Sequence, residues 1–535
     1  MTFNYGKSER TCDKEPVAAT TKPVSRPDMV QNSDKGFVFE LTPMKMLERF
    51  LILGSESPTY YARAEDITEN NCRNAANLIK TNPKEVLDIL LDVSENNRAP
   101  KVQPTIFILA LYFKYASSEW KTEASRQAHR ILRTFTHLAT FLNYLTQFHG
   151  WGRSIRRIAS NWYNMKSPQQ VLYQYMKYGS REGWKHKDIL HLGHVKPGTE
   201  MLGTLLNHIF GKCDDSALAE VFPAYQLDID LRNATTAKQV ISIIQKGKVQ
   251  WEQVPTQFLK EGKVWDAIVP NMGANALLRS LGRMGACGVI KDLGDTTKAI
   301  IGRLTDAGAL RAEKVHPFAI LVAHKIYSNG HGERGDTRWP VNKTLVAALD
   351  NAFVTSMSNV QPTGKNFYIG VDTSGSMECG NIAGVPGMTP YDCAGAIAAE
   401  IVNREPWVEV RGFSSTLRDL GIRKGASLNT IYKNIRAGDV SSTNPSLLIQ
   451  DAIKRKLPVD VFMMITDNEV NHGTHPFMEL KKYRQMSGRN AKMIVVGLTA
   501  TKFTLADPKD GGMLDLVGFD SAGPEVMRKF VAEGI

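Results

Sequence analysis

The sequence predicts a protein of two unlike parts, a stack of amphipathic helices followed by a doubly wound α/β domain. Three observations carry that prediction. From about Phe37 to Ser358 apolar residues recur at helical spacing, and convincing alternating strands are absent. After Pro362-Thr363-Gly364, short β-branched runs alternate with helical stretches, the pattern of a largely parallel sheet with helices on both faces. Charge is also unevenly spread. Residues 101–200 hold 15 Lys and Arg against 5 Asp and Glu, an excess of +10 in a chain whose net charge is +12.

Residues 1–35 are polar, with Pro16, Pro23 and Pro27 and few large apolar side chains, so they are expected to form a flexible arm. Residues 36–360 are expected to form the helical domain. Val86, Ile89, Leu90 and Val93 make one apolar stripe, and Leu138, Phe141, Leu142 and Leu145 another. Asn82-Pro83, Ser167-Pro168 and His316-Pro317 look like helix starts, because proline is tolerated in the first turn. More than 300 residues of successive helices suggest an α-solenoid, although no fixed sequence period is visible.

Two of these helices carry cations of one sign. Arg153, Arg156 and Arg157 fall opposite Ile155, Ile158, Ala159 and Trp162, and Arg126, Arg130 and Arg133 lie opposite Ala128, Ile131, Leu132 and Phe135. A merely solvated face usually carries both signs, since like charges at i, i+4 repel. Unbalanced arginine, whose planar fork suits phosphate oxygens, points to a polyanionic partner such as RNA or DNA.

Composition sets further bounds. No apolar run reaches the ~18–20 residues that cross a bilayer, and the first residues contain no apolar signal core, so a soluble cytoplasmic protein that does not engage membrane is expected. Six cysteines without CxxC spacing argue for reduced thiols rather than zinc or disulfides.

In the α/β part, residues 361–535, the strand-length runs are Phe367–Val371, Trp407–Val410, Val459–Ile465 and Met493–Val496, with helical stretches at Tyr391–Val402, Ser446–Arg455 and Pro476–Met486. Ligands of such sheets bind at the carboxyl ends of the strands. There the first strand ends in Asp372-Thr373-Ser374-Gly375-Ser376, a later one in Thr466-Asp467, and the loop Ser441–Pro445 contains Thr443. All are hard oxygen donors, which suit Mg²⁺ or Mn²⁺. Ser374, Ser376 and Thr443 are the candidate direct ligands, with Asp372 and Asp467 acting partly through water. Such a cation would be under-neutralised and would recruit a carboxylate from a partner protein.

This constellation resembles the metal-ion-dependent adhesion site of von Willebrand factor A domains. The long Gly-rich loop from Glu378 to Thr389 departs from the plainer family pattern and is expected to bear on access to the site.

Stretches of the helical part resemble the TROVE module of the Ro ribonucleoprotein autoantigen family. They are Gly54–Tyr61, Gly183–Asp188 continuing through His191, His194, Lys196 and Pro197, Asn275–Met284, His316–Phe318, and Gly330–Gly335 with Trp339. The resemblance covers almost the whole chain and suits a bacterial or phage member. It implies a HEAT-like ring of helical repeats, monomeric, closed by the A domain. It further implies that single-stranded 3′ ends of misfolded RNAs enter the ring, that small Y RNAs bind its basic outer surface, and that an exoribonuclease is tethered through such an RNA. Carried onto this sequence, the RNA-facing candidates are Arg126, Arg130, Arg133, Arg153, Arg156, Arg157, Lys177, Arg181, Lys185, His186, Lys187 and Lys196. His186, flanked by two lysines, is expected to stack on a base or bond a phosphate.

No GxxxxGK[ST], HExxH or GxSxG motif or nuclease-type carboxylate cluster is present, so a non-catalytic protein is expected. Two alternatives remain at this point: a metal-dependent nuclease, and a protein-binding scaffold without RNA.

Overall fold

The computed structural model describes residues 20–22, 26–32, 35–54, 64–147, 150–247, 249–332, 336–357, 362–378, 382, 387–437, 442–520 and 522–533. Helices fill the first part, from Pro43–Leu53 to Lys343–Met357. The expected starts are real. Ser167 accepts from the Gln170 N–H in a reciprocal capping box, His316 accepts from the Phe318 N–H, and Pro83 opens the helix Pro83–Glu95 after Asn82.

Seven helices from Ala64–Thr81 to His186–Gly193 pack in two alternating layers. Pro83–Glu95 lies on Ser118–Ile131, which lies on Arg153–Asn164, which lies on His186–Gly193. The helices between them, Ala64–Thr81, Gln103–Tyr115 and Phe135–Thr146, pack on one another as the second layer. Most of these helices bury an apolar stripe against the other layer and keep one face outward, as stacked helix pairs do, whereas Gln103–Tyr115 is buried on almost every side.

The α/β domain holds a six-stranded sheet in the order β5-β4-β3-β6-β7-β9. Its strands are β3 (Asn366–Asp372), β4 (Trp407–Phe413), β5 (Leu417–Asp419), β6 (Val461–Thr466), β7 (Lys492–Gly497) and β9 (Met513–Val517). All pairs are parallel except β4 with β5. The four strands expected from β-branched runs are the four central ones. β3 and β6 are buried on both faces, which is why they read as unbroken apolar runs.

The absence of strands in the early chain is corrected by the structure. β1 (Met29–Gln31) and β2 (Phe37–Glu40) pair antiparallel, and β2 pairs in turn with β8 (Phe503–Thr504) of the α/β domain. The arm expected over 1–35 is thus not free in its described part. Arg26 bridges Asp28 and Asp507, Asn32 donates to the carbonyls of Asn468 and Val470, and the Thr20 N–H donates to the Gly473 carbonyl. Few large apolar residues were needed because the segment is held by ion pairs and strand pairing. Residues 1–19 lie outside the described set, as do 55–63 and 333–335, which hold parts of two of the TROVE-like stretches.

The helical array begins and ends on the α/β domain. Its first helix, Pro43–Leu53, contacts β9, and its last, Lys343–Met357, packs on Pro390–Arg404. Arg49, on the first helix, is 1% exposed; its Nη2 reaches both oxygens of Asp515 at 2.5 and 2.7 Å while its Nη1 donates to the Phe503 carbonyl at 3.0 Å. Arg98 joins Glu48, Asp92 and Asp520. On the other side, Lys325 and Arg436 converge on the fully buried Asp392. One apolar core runs without a break from Leu231 into the sheet and on to Val531, so residue 360 is a change of class and not a separation of cores.

Candidate nucleic-acid interface and metal centre

The helix Arg153–Asn164 presents what its pattern promised. Ile155, Ile158, Ala159 and Trp162 are buried, and Arg153, Arg156 and Arg157 are exposed. Arg153 and Arg156 have no carboxylate partner among the described residues, and Arg157 reaches only the Ser125 hydroxyl, at 3.4 Å. Lys185, Lys187 and Lys196 are also exposed, the first two at the start of the neighbouring helix His186–Gly193. Arg126 is exposed but meets Glu123 at 3.2 Å. Arg181 is exposed and lies over the Tyr178 ring, 4.7 Å from its centroid.

Four candidates are not placed as expected. Arg130 is forked onto Glu95 of the adjacent helix, with two contacts of 2.6 Å. Lys177 is half-buried and pairs with Glu252 at 3.1 Å. Arg133 is partly buried, which pushes its guanidinium below the usual arginine range, and its Nε has no partner among the described residues. His186 is the clearest correction. It is 2% exposed, stacked on Phe135 at 3.8 Å, with the Tyr163 hydroxyl 2.9 Å from its Nδ1. It belongs to the core and cannot stack on a base without rearrangement.

That placement gives a pH signature. Burial pushes the His186 imidazole down to about 3, so the folded chain leaves it neutral where an unfolded chain would take up a proton near pH 6.5. Its contribution is complete above about pH 6.5 and is lost as pH falls, by roughly 2 kcal/mol at about pH 5. The Tm gap between the parent and His186→Gln should therefore be narrower at about pH 5 than at about pH 7.5. An unchanged gap would mean an imidazole that titrates normally.

The oxygen donors of the second site collect at the carboxyl edge of the sheet. β3 and β6 are neighbours with Val371 opposite Ile465, which places Asp372 and Asp467 on adjacent strand ends. Asp372 is fully buried. Its Oδ1 accepts from the Ser374 hydroxyl at 2.6 Å and backbone N–H at 3.0 Å, and its Oδ2 accepts from the Thr466 hydroxyl at 2.6 Å. Ser374 and Ser376 hydroxyls stand 3.1 Å apart, and Tyr391 donates to the carbonyls of Thr373 and Ser374.

Thr443 reaches the same edge through its loop. Its N–H donates to the Asn471 side chain, and its carbonyl accepts from the His472 N–H just beyond Asp467. Asn444 in turn donates to Ser414 at the end of β4. Burial and the neighbouring Asp467 charge push the Asp372 carboxyl up to about 7. Two carboxylates beside two hydroxyls, closed from water, form a donor set that a hard divalent cation would relieve. The residues fit such an ion. Most of the 378–389 loop and Ser441 lie outside the described residues.

Against known proteins, residues 366–531 match the family model described as the Ro60 vWA domain, and residues 30–222 and 244–326 match the TROVE domain. The chain is 34% identical over 522 residues to a protein named RNA-binding protein RO60 of Deinococcus radiodurans, covering 95% of this chain and 97% of that one. It belongs to the Ro60 family. A Caenorhabditis elegans RO60 is 29% identical over 584 residues, covering 94% of this chain and 90% of the relative. The crystal structure of the Deinococcus radiodurans RO (RSR) protein superposes with a TM-score of 0.69 at 34% identity, covering 92% of this chain and all of that one. The helical-repeat region followed by a von Willebrand factor A-like domain is thus the architecture of a bacterial Ro60 relative.

One cation of this Ro60-family chain escaped the sequence reading. Lys166 follows the arginine helix, lies over the Trp162 ring at 4.3 Å, and has its ammonium pushed down to about 8 by burial. Its only signal in the sequence was its distance of four residues from a core tryptophan.

Proposed function

We propose that this chain is a non-catalytic RNA-binding component of ribonucleoproteins, holding small Y-like RNAs on the face built from the helices Ser118–Ile131, Arg153–Asn164 and His186–Gly193. The observation that carries the reading is the one-signed surface of Arg153, Arg156, Arg157, Lys185, Lys187 and Lys196, exposed on two adjoining helices and the loop after the second, with no carboxylate paired to them among the described residues. The name of the two relatives, RNA-binding protein RO60, supports it. In this reading the protein works as a cytoplasmic monomer in RNA quality control. It engages misfolded RNAs by single-stranded 3′ ends and brings an exoribonuclease to them through the bound small RNA.

Counterion release supplies the test. With roughly four to eight phosphates contacted, log affinity against log salt should fall with a slope of about −3 to −7. A flat dependence would sink the reading.

The same proposal gives the A domain a Mg²⁺ or Mn²⁺ ion held by Ser374, Ser376 and Thr443, with Asp372 and Asp467 around it, and an Asp or Glu of a partner protein completing the shell. A hydroxyl-rich site with few carboxylates in contact with the ion is poorly built to activate water, which favours binding over nuclease chemistry. Asp372→Ala should abolish the Mg²⁺-induced rise in Tm while RNA affinity at matched ionic strength stays nearly constant. RNA binding weakened as much as by loss of the arginine stripe would place both ligands at one site.

A further inference from the structure

A second basic feature lies outside the stripes. A cavity of about 730 Å³ opens among the later helices, within the roughly 300–1,000 Å³ range of small-ligand pockets. Four cations line it, Lys101, Lys260, Arg279 and Arg283, and no Asp or Glu does among the described residues. Lys260, Arg279 and Arg283 form no ion pair among those residues, although Arg283 stands 5.8 Å from the Trp251 ring. Arg279 and Arg283 are both exposed and lie at i, i+4 on the helix Ala274–Ala286, where like charges repel unless an anion sits between them.

The inner wall is different. Leu278, Phe318, Val322 and Ile326 give it an apolar surface, and Trp339 closes one side. That indole is fixed, stacked on Tyr327 at 16° between ring planes and donating to the Tyr327 carbonyl at 3.0 Å. It approaches the helix so closely that a Cβ at Gly282 would stand 2.6 Å from its ring. Asn275, Leu278, Arg279, Gly282, Arg283 and Ala286 make one continuous helix face, so a single element supplies both wall and rim. An apolar slot with a cationic mouth fits a flat heterocycle carrying phosphate better than it fits either an apolar ligand or a bare anion.

We propose that this cavity is a nucleotide subsite, taking one nucleobase against the wall of Leu278, Phe318 and Trp339 with its phosphate on Arg279 and Arg283. The inference rests on the RNA-binding reading only for one of its two possible sources of ligand, a nucleotide within an RNA strand; the other is a free mononucleotide.

Two probes and two variants separate the cases. Calorimetry with adenosine monophosphate and with a single-stranded oligoadenylate is done on the full chain, with ribose 5-phosphate as the probe lacking a base. Saturation by the oligomer alone assigns the site to RNA strands, and saturation by the monophosphate alone assigns it to free nucleotide. Competition between the two shows a subsite open to both. The paired charge reversal Arg279→Glu with Arg283→Glu should weaken the bound probe at least tenfold. Ala319→Phe, which fills the cavity without changing charge, should do the same, and ribose 5-phosphate should bind more weakly than the monophosphate.

Binding of neither probe by the parent would overturn the proposal. So would affinity for the saturating probe unchanged in Ala319→Phe with the fold intact by circular dichroism, or unchanged in the charge-reversed pair if Ala319→Phe fails to fold. Structured RNA binding through Arg153, Arg156 and Arg157 is measured separately by its salt slope, so the two ideas fail independently.

Discussion

Arg49→Ala is expected to destabilise the folded chain by about 3–5 kcal/mol, the cost of breaking a buried ion pair from one side. The guanidinium is nearly inaccessible and satisfies both oxygens of Asp515 and the Phe503 carbonyl. Its removal leaves a carboxylate that is only 13% exposed without its partner and opens a void beside Gly497, against which the guanidinium packs. Arg49→Met combined with Asp515→Leu should recover much of the loss, because an apolar pair of similar volume leaves no charge stranded. Urea unfolding of the parent, the single variant and the double variant measures both effects. A single-variant loss below about 1 kcal/mol would show that the pair behaves like an exposed one.

Arg153→Ala with Arg156→Ala and Arg157→Ala is expected to weaken RNA binding by on the order of tenfold or more and to flatten the salt slope by about three. The fold should be indifferent. All three side chains are exposed, the buried face of Ile155, Ile158 and Trp162 is untouched, and exposed substitutions shift stability by less than about 0.5 kcal/mol each. Relief of repulsion along the stripe should even raise Tm slightly. Unchanged affinity in a folded triple variant would show that the stripe is simply solvated.

Both fold classes were legible because long helices and doubly buried strands leave strong periodic traces. Ile155, Ile158, Ala159 and Trp162 specify their helix face, and β3, β4, β6 and β7 announce themselves as apolar runs. β1, β2 and β8 did not, since two to four residues are too few for alternation to stand out. The held part of the N-terminal segment was equally hidden, because its anchors are polar and their partners lie more than 400 residues away.

The candidate site shows a different limit. Lys185 and Lys187 suggested that His186 faces a ligand, but on a helix adjacent residues point about 100° apart, so flanking cations say nothing about where the residue between them faces. Arg130 belonged to a one-signed stripe, yet its carboxylate came from the neighbouring helix, at Glu95. The cavity of Arg279 and Trp339 is assembled from separate stretches of chain, none of which carries a recognisable pocket signal alone.

The pairing of β2 with β8 also imposes an order of events on a growing chain. Arg26 must wait for Asp507, 481 residues later, and Phe39 must wait for Thr504. The equilibrium cost of so long a closure is small, because loop entropy grows only with the logarithm of length. In time the separation matters more. At about 5–20 residues per second, β2 leaves the ribosome roughly 20–90 seconds before its partner strand exists. Throughout that interval Val38, Phe39 and the Arg49 guanidinium have no place to be buried, so the helices can stack from their middle outward while the first of them stays undocked. A chain stopped anywhere short of β8 can complete much of the helical array and never close it.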